Sequence, residues 1–98
     1  MKRDIKKEEQ YKKEVIDILT AMATDKRVMT DFLTDIMTPA ELREIAVRWQ
    51  IVKKLKAREH HRDIAFELGI GLGTITRGSR TLMNPAGGFN QALSKTKQ

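Results

Sequence analysis

The side chains best suited to recognition chemistry lie together in one short stretch: Thr74, Thr76, Arg77 and Arg80. A hydroxyl both gives and accepts hydrogen bonds, and a guanidinium gives several at once from a planar fork. Such groups read base edges and grip phosphates without any cofactor. Groups for bond-breaking chemistry are scarce. The chain has no cysteine and no HExxH pair. His60 and His61 are adjacent, so on a regular helix they point to different faces and cannot share a metal. The run GIGLGT from Gly69 to Thr74 lacks the lysine and the preceding strand of a phosphate loop. The expectation is a binding protein: not an enzyme, with no catalytic residues and no metal site.

Two elements must position those side chains. His61 to Leu82, HRDIAFELGIGLGTITRGSRTL, reads as two short helices with a tight turn between them. Ile64, Ala65 and Leu68 fall on one face of the first. Gly69 ends it, because glycine takes the left-handed conformation that a side chain resists, and Ile70 can then drop into the core. The second helix starts near Leu72, faces Ile75 inward and leaves its Thr and Arg side chains outward. This is a helix-turn-helix pattern spanning about residues 61–82, whose second helix fits the major groove. A plain helical hairpin, used to bind another protein without sequence-specific DNA binding, is the competing reading.

Charge separates the two. The net charge is +6, and it is unevenly placed: residues 1–47 carry −1 and residues 48–98 carry +7. The positive excess lies in the half that holds the motif, which is what polyphosphate binding requires. Lys53, Lys54, Lys56 and Arg58 either add phosphate contacts or form a solvated face. At 98 residues the chain suffices for one small domain, 1–98. With no disulfide framework, no signal-like apolar segment and no apolar run near membrane-spanning length, it is expected to be soluble and cytoplasmic, with no membrane partner.

Ahead of the motif, residues 1–10 alternate in charge and are expected to fray. Tyr11, Val15, Ile18, Leu19 and Met22 predict an amphipathic first helix. Thr24 or Asp25 caps a second, which would bury Val28, Met29, Phe32, Leu33 and Ile36 and end near Met37. Thr38-Pro39-Ala40-Glu41 is a capping box with proline at the first helical position, opening a third helix to about Arg58. That helix carries one stripe of Leu42, Ile45, Ala46, Trp49 and Val52 and a second of Val47, Ile51 and Leu55. So much apolar surface on a short chain calls for a second copy, and a twofold dimer would present two reading helices to an inverted repeat. Past the motif, Asn84-Pro85 stops the reading helix, Gly87-Gly88 forms a flexible joint, and Phe89 and Leu93 predict a short closing helix. The fold class is all-α, with five to six helices.

Thr38-Pro39 opening a long helix with Arg48, followed by ELGIGLGTITRGSRTL from Glu67 to Leu82, resembles the Trp repressor family over roughly residues 28–84, with TITRGS from Thr74 to Ser79 the most specific part. The resemblance implies an intertwined homodimer that represses transcription by binding double-stranded DNA. It places DNA contacts on Arg62, Leu72, Gly73, Thr74 and Thr76. It also implies a small effector, L-tryptophan in that family, acting as corepressor. By position, Arg48 and Arg77 would lie on the two faces of the indole, with Met37 and Thr38 of the partner chain near its amine and with Gly78 and Thr81 on the reading helix. A guanidinium on an aromatic face contributes ~0.5–2 kcal/mol. Alternatives stand beside each role: Arg48 as half of an ion pair with Glu44, Arg77 as a phosphate contact, Gly78 as a site of close helix packing. Asp35, where the family has an apolar pocket residue, and the bulky Trp49 depart from its pattern. They leave open tryptophan, a different effector or none.

Overall fold

The computed structural model describes residues 2–96, and among them there are six helices and no strand: α1 (Ile5–Ala21), α2 (Lys26–Ile36), α3 (Pro39–Lys56), α4 (His61–Leu68), α5 (Leu72–Leu82) and α6 (Gly88–Thr96). They fall into two compact units divided between Leu42 and Arg43. The all-helical expectation holds.

The first unit is organised by caps. Asp4 accepts from the Lys7 amide at 3.1 Å, and Arg3 makes two 2.7 Å bonds to Glu8, so α1 begins at Ile5. The expected fraying through residue 10 gives way to a helix because these local partners satisfy its first turn. Asp25, of the two candidate caps, accepts from the Val28 amide at 3.1 Å and starts α2. The capping box is reciprocal: the Glu41 amide donates to Thr38 Oγ1 at 3.1 Å, and the Thr38 amide donates to Glu41 Oε1 at 2.8 Å. The Thr38 backbone amide first, and the Thr38 side chain second, hold the Glu41 carboxyl below the usual carboxylate range by hydrogen bonding to it.

One expectation fails here. Neither α1 nor α2 has a buried residue. Met29, Phe32 and Leu33 are half-buried, while Val28 and Ile36 are exposed, as are Tyr11, Val15 and Ile18. The helical period is right, but a single protomer does not cover the stripe that the period generates.

The second unit has a core. Ile51 of α3, Ile64 of α4 and Ile75 of α5 are buried together, with Val47, Leu55, Ala65, Leu68 and Ile70 packed around them. Ile64 and Ile75 are at 0% exposure. Each such side chain contributes ~1.5–3 kcal/mol relative to an exposed one. Of the two stripes on α3, Val47–Ile51–Leu55 enters this core, while along the other Val52 is buried, Trp49 half-buried and Ile45 exposed.

The end of α3 is a Schellman turn, in which the Glu59 amide reaches Lys54 O at 3.1 Å and the Arg58 amide reaches Leu55 O at 3.0 Å. Arg58 therefore sits at φ +62°, the only non-glycine with positive φ among the described residues. The joint after α5, expected to be flexible, is tied instead. Gly87 N–H donates to Asn84 O (3.0 Å), Ala86 N–H to Asn84 Oδ1 (3.2 Å), and the Asn90 side-chain Nδ2 to both Leu82 O (3.0 Å) and Asn84 O (2.9 Å). These bonds close the end of α5, and Leu93 of α6 is buried, with Phe89 half-buried.

Candidate nucleic-acid interface

The reading head is α4, a three-residue turn, and α5. Gly69 adopts φ +65° just past α4, which lets its amide meet Phe66 O at 3.3 Å and the Ile70 amide meet Ala65 O at 3.0 Å. The turn thus directs Ile70 into the core, as its sequence predicts. On α5, Ile75 is buried and Gly78, Ser79 and Leu82 are half-buried, at spacings of three, four and seven from it. Gly73, Thr74, Arg77, Arg80 and Thr81 are exposed, and so is Leu72. The inward stripe therefore fixes which side chains a groove would meet.

The helix starts without a side-chain cap, Gly71 being the residue before it, and only the Thr74 amide turns back, to Gly71 O at 3.2 Å. Uncapped first-turn amides are donors to water or phosphate oxygen. Thr76 Oγ1 donates to Leu72 O at 3.2 Å and Thr81 Oγ1 to Arg77 O at 3.1 Å. Their hydroxyl protons point into their own helix. What they offer outward is a lone pair and a methyl group, suited to a base amino group or a thymine methyl. Arg62 is exposed in the first turn of α4.

The residues assigned to a ligand by resemblance have these surroundings in the single chain. Arg48 Nη2 donates to Glu44 Oε1 at 2.7 Å, the exposed ion pair that their four-residue spacing allows. A Cβ at Gly78 would stand 3.1 Å from Ile51 Cγ2 and 3.6 Å from Leu55 Cδ1, so glycine here serves the close approach of α5 to α3. Arg77 is exposed on α5. In the first unit, Met37 is half-buried after α2, and Thr38 spends its hydroxyl on the capping box. Asp35 is exposed.

Lys53, Lys54, Lys56 and Arg58 do not behave as one cluster. Lys54 Nζ donates to Glu67 Oε1 at 2.8 Å and lies 3.6 Å from Glu59 Oε1. The hydrogen bond to Glu67 raises its pKa, partial desolvation opposes the rise, and the charges of Glu59 and Glu67 add to it. No local spacing signals this pair, since Lys54 and Glu67 are thirteen residues apart. Sequence reasoning also passed over Phe66, which stands 91% exposed on α4, off the stripe that carries Ile64 and Leu68.

No described helix is long and apolar enough to cross a membrane. No group of described His, Cys, Asp or Glu residues is placed to hold a metal ion. Residues 8–97 match the Trp repressor protein family. Among curated relatives, the Trp operon repressor homolog of Vibrio vulnificus (strain YJ016) is 39% identical over 71 residues, covering 67% of this chain and 70% of its own. That of Vibrio cholerae is 35% identical over 83 residues, covering 84% and 80%, and that of Vibrio campbellii is 33% identical over 78 residues, covering 76% and 77%. A family match over nearly the whole chain, with relatives above 30% identity that cover two thirds of it or more, shows a family of transcriptional repressors: the chain belongs to the Trp repressor family.

Proposed function

We propose that residues 1–98 act as one sequence-specific DNA-binding repressor, a homodimer that sets α5 of each copy into the major groove of an inverted repeat. The observation that carries the reading is the division of α5. Ile75 is fully buried, while Thr74, Arg77 and Arg80 are turned outward from a helix whose first turn is uncapped. In this reading Leu72, Gly73, Thr74 and Thr76 meet base edges and Arg62 meets a base or a phosphate. The basic second half of the chain supplies the sequence-independent part of the affinity. The exposed apolar stripes of α1 and α2 support the dimer, since a second copy would cover them.

An effector pocket, if formed, would draw on Arg48, Arg77, Gly78 and Thr81 of one copy and on Met37 and Thr38 of the other, with L-tryptophan or another small ligand as occupant. Two observations favour a second reading, a repressor that needs no ligand. Arg48 is engaged by Glu44, and the space beside Gly78 is filled by Ile51 and Leu55.

Selection of bound duplexes from a random DNA library, with and without L-tryptophan, tests both. An inverted repeat enriched only with tryptophan establishes a corepressor. The same repeat in both arms keeps the repressor and removes tryptophan as its switch. No enrichment in either arm refutes sequence-specific binding under these conditions. On the selected repeat, Thr74→Ala should cost ~1–3 kcal/mol, and an equal loss on random DNA would make Thr74 a positioning contact that reads nothing.

A further inference from the structure

Lys54 joins three parts of the second unit at one atom. It lies in the last turn of α3, Glu59 lies in the link to α4, and Glu67 lies in the last turn of α4, two residues before the pivot at Gly69. Only 17% of the lysine side chain is exposed, so the ammonium is held among these carboxylates and is not free to sweep through solvent.

The rest of the contact between α3 and the reading head is apolar: Ile51 against Ile64 and Ile75, edged by Val47, Leu55, Ala65, Leu68 and Ile70. Apolar burial holds surfaces together but is non-directional, so it resists separation more than it resists sliding. A short charge-assisted hydrogen bond has a direction and a length. The bond at Glu67 acts close to the turn that carries Leu72, Gly73 and Thr74, where a small displacement moves every group that would meet a base. Lys53, Lys56 and Arg58 have no comparable tie among the described residues.

We propose that Lys54 is a positioning residue for DNA reading: through Glu67 and Glu59 it sets the pitch of the α4–α5 head on α3, and it touches no DNA itself. The inference rests on α5 being the reading helix, as argued above. It predicts a specific pattern, because the two partners carry opposite charges. If Lys54 were a phosphate contact, removing its charge would weaken all DNA binding, and removing the charge of Glu67 would strengthen it. If the pair positions the head, both changes lower discrimination alike.

The experiment compares the unchanged full-length protein with Lys54→Gln, Glu67→Gln, Lys54→Arg and the double neutral variant. For each, the ratio of affinity for the selected operator to affinity for a random duplex of the same length is measured, together with a thermal melt. The expected result is a fall in the ratio of roughly 5-fold in both single neutral variants, the size of a good partly shielded ion pair. The double variant should be no worse than either single one, and Lys54→Arg should keep most of the ratio. An unchanged ratio in Lys54→Gln and Glu67→Gln, with operator preference intact in the unchanged protein, overturns the role of Lys54 and leaves the DNA reading standing. Equal loss on both duplexes makes Lys54 a phosphate contact and also overturns it. A lower melting temperature with the ratio preserved reduces the pair to ordinary stabilisation. Absence of any operator preference in the unchanged protein overturns the DNA reading and this inference with it.

Discussion

The two units of this small protein are held by different forces. In the second, three isoleucines from three helices meet in a core that excludes solvent. In the first, α1 and α2 have no buried residue, and what is well made is their ends: Asp4, Asp25 and the Thr38–Glu41 box. Caps stabilise a helix locally by ~1 kcal/mol each, which decides where a helix starts but not whether it survives alone in water. The second unit therefore buries a core of its own, whereas the apolar stripes of the first stay uncovered in one protomer. In the family reading, what covers them is another copy.

The largest expected effect breaks the strong side of the comparison. Ile64→Ala or Ile75→Ala removes a side chain from a site with no exposure, and should cost ~2–5 kcal/mol. Equilibrium unfolding in urea measures it, and a loss under ~1 kcal/mol would show the core to be looser than its burial indicates. Next in size is the weak side. Ile36→Ala deletes a side chain that is exposed in one protomer, where the cost should be near zero. If a partner covers it, the change should cost ~1 kcal/mol or more and steepen the dependence of the melting temperature on protein concentration. A melting temperature that is independent of concentration, in both the parent and the variant, would mean that α2 is exposed in the working protein.

The same contrast explains how much was legible in the residues. The reading head followed from sequence because its determinants are local: Gly69 at positive φ, Ile64 and Ile75 at helical spacing, and Asn84-Pro85 as a stop. The box at Thr38 was equally visible, and the cap of α2 was narrowed to Thr24 or Asp25, of which the structure uses Asp25. The exposure of Val28 and Ile36 was not visible, because periodicity says which face is apolar and not whether anything lies against it. The contacts of Arg48 and Gly78 needed coordinates, since spacing alone allows more than one neighbour for each. Lys54 and Glu67 are brought together only by the turn of the chain between α3 and α4, and the tied joint at Asn84 depends on Asn90, one helix further on. Long-range partners leave no periodic trace.

A smaller effect, and of the opposite sign, is expected where the second unit strains its backbone. Arg58 occupies the left-handed position of the Schellman turn, which costs a residue with a Cβ ~1–2 kcal/mol. Its side chain is exposed, so little packing is lost on removing it. Arg58→Gly relieves the strain at some cost in unfolded-chain entropy, leaving a net gain of ~0.5–1 kcal/mol. A rise of a few degrees in melting temperature checks it. A fall would show that the guanidinium holds the link through contacts worth more than the strain.

The smallest effect tests the first unit's reliance on its caps. Glu41 accepts from the Thr38 amide, and that bond holds its carboxyl below the usual value. A carboxylate depressed in the folded state stabilises fully above its unfolded pKa, about 4.3 for glutamate, and that contribution is lost as pH falls through the lower folded value. Glu41→Gln keeps an acceptor oxygen for the amide and removes the charge, which also favours the start of α3 through the helix dipole. The parent should therefore melt slightly above the variant at neutral pH, and the gap should close as the solution is acidified below about pH 4. Subtracting the two melting curves cancels the other carboxylates, which titrate in both proteins. If the gap persists in acid, the carboxylate contributes through shape and hydrogen bonding alone. The capping box would then be indifferent to charge, and acid would not act through this cap to loosen the first unit ahead of the second.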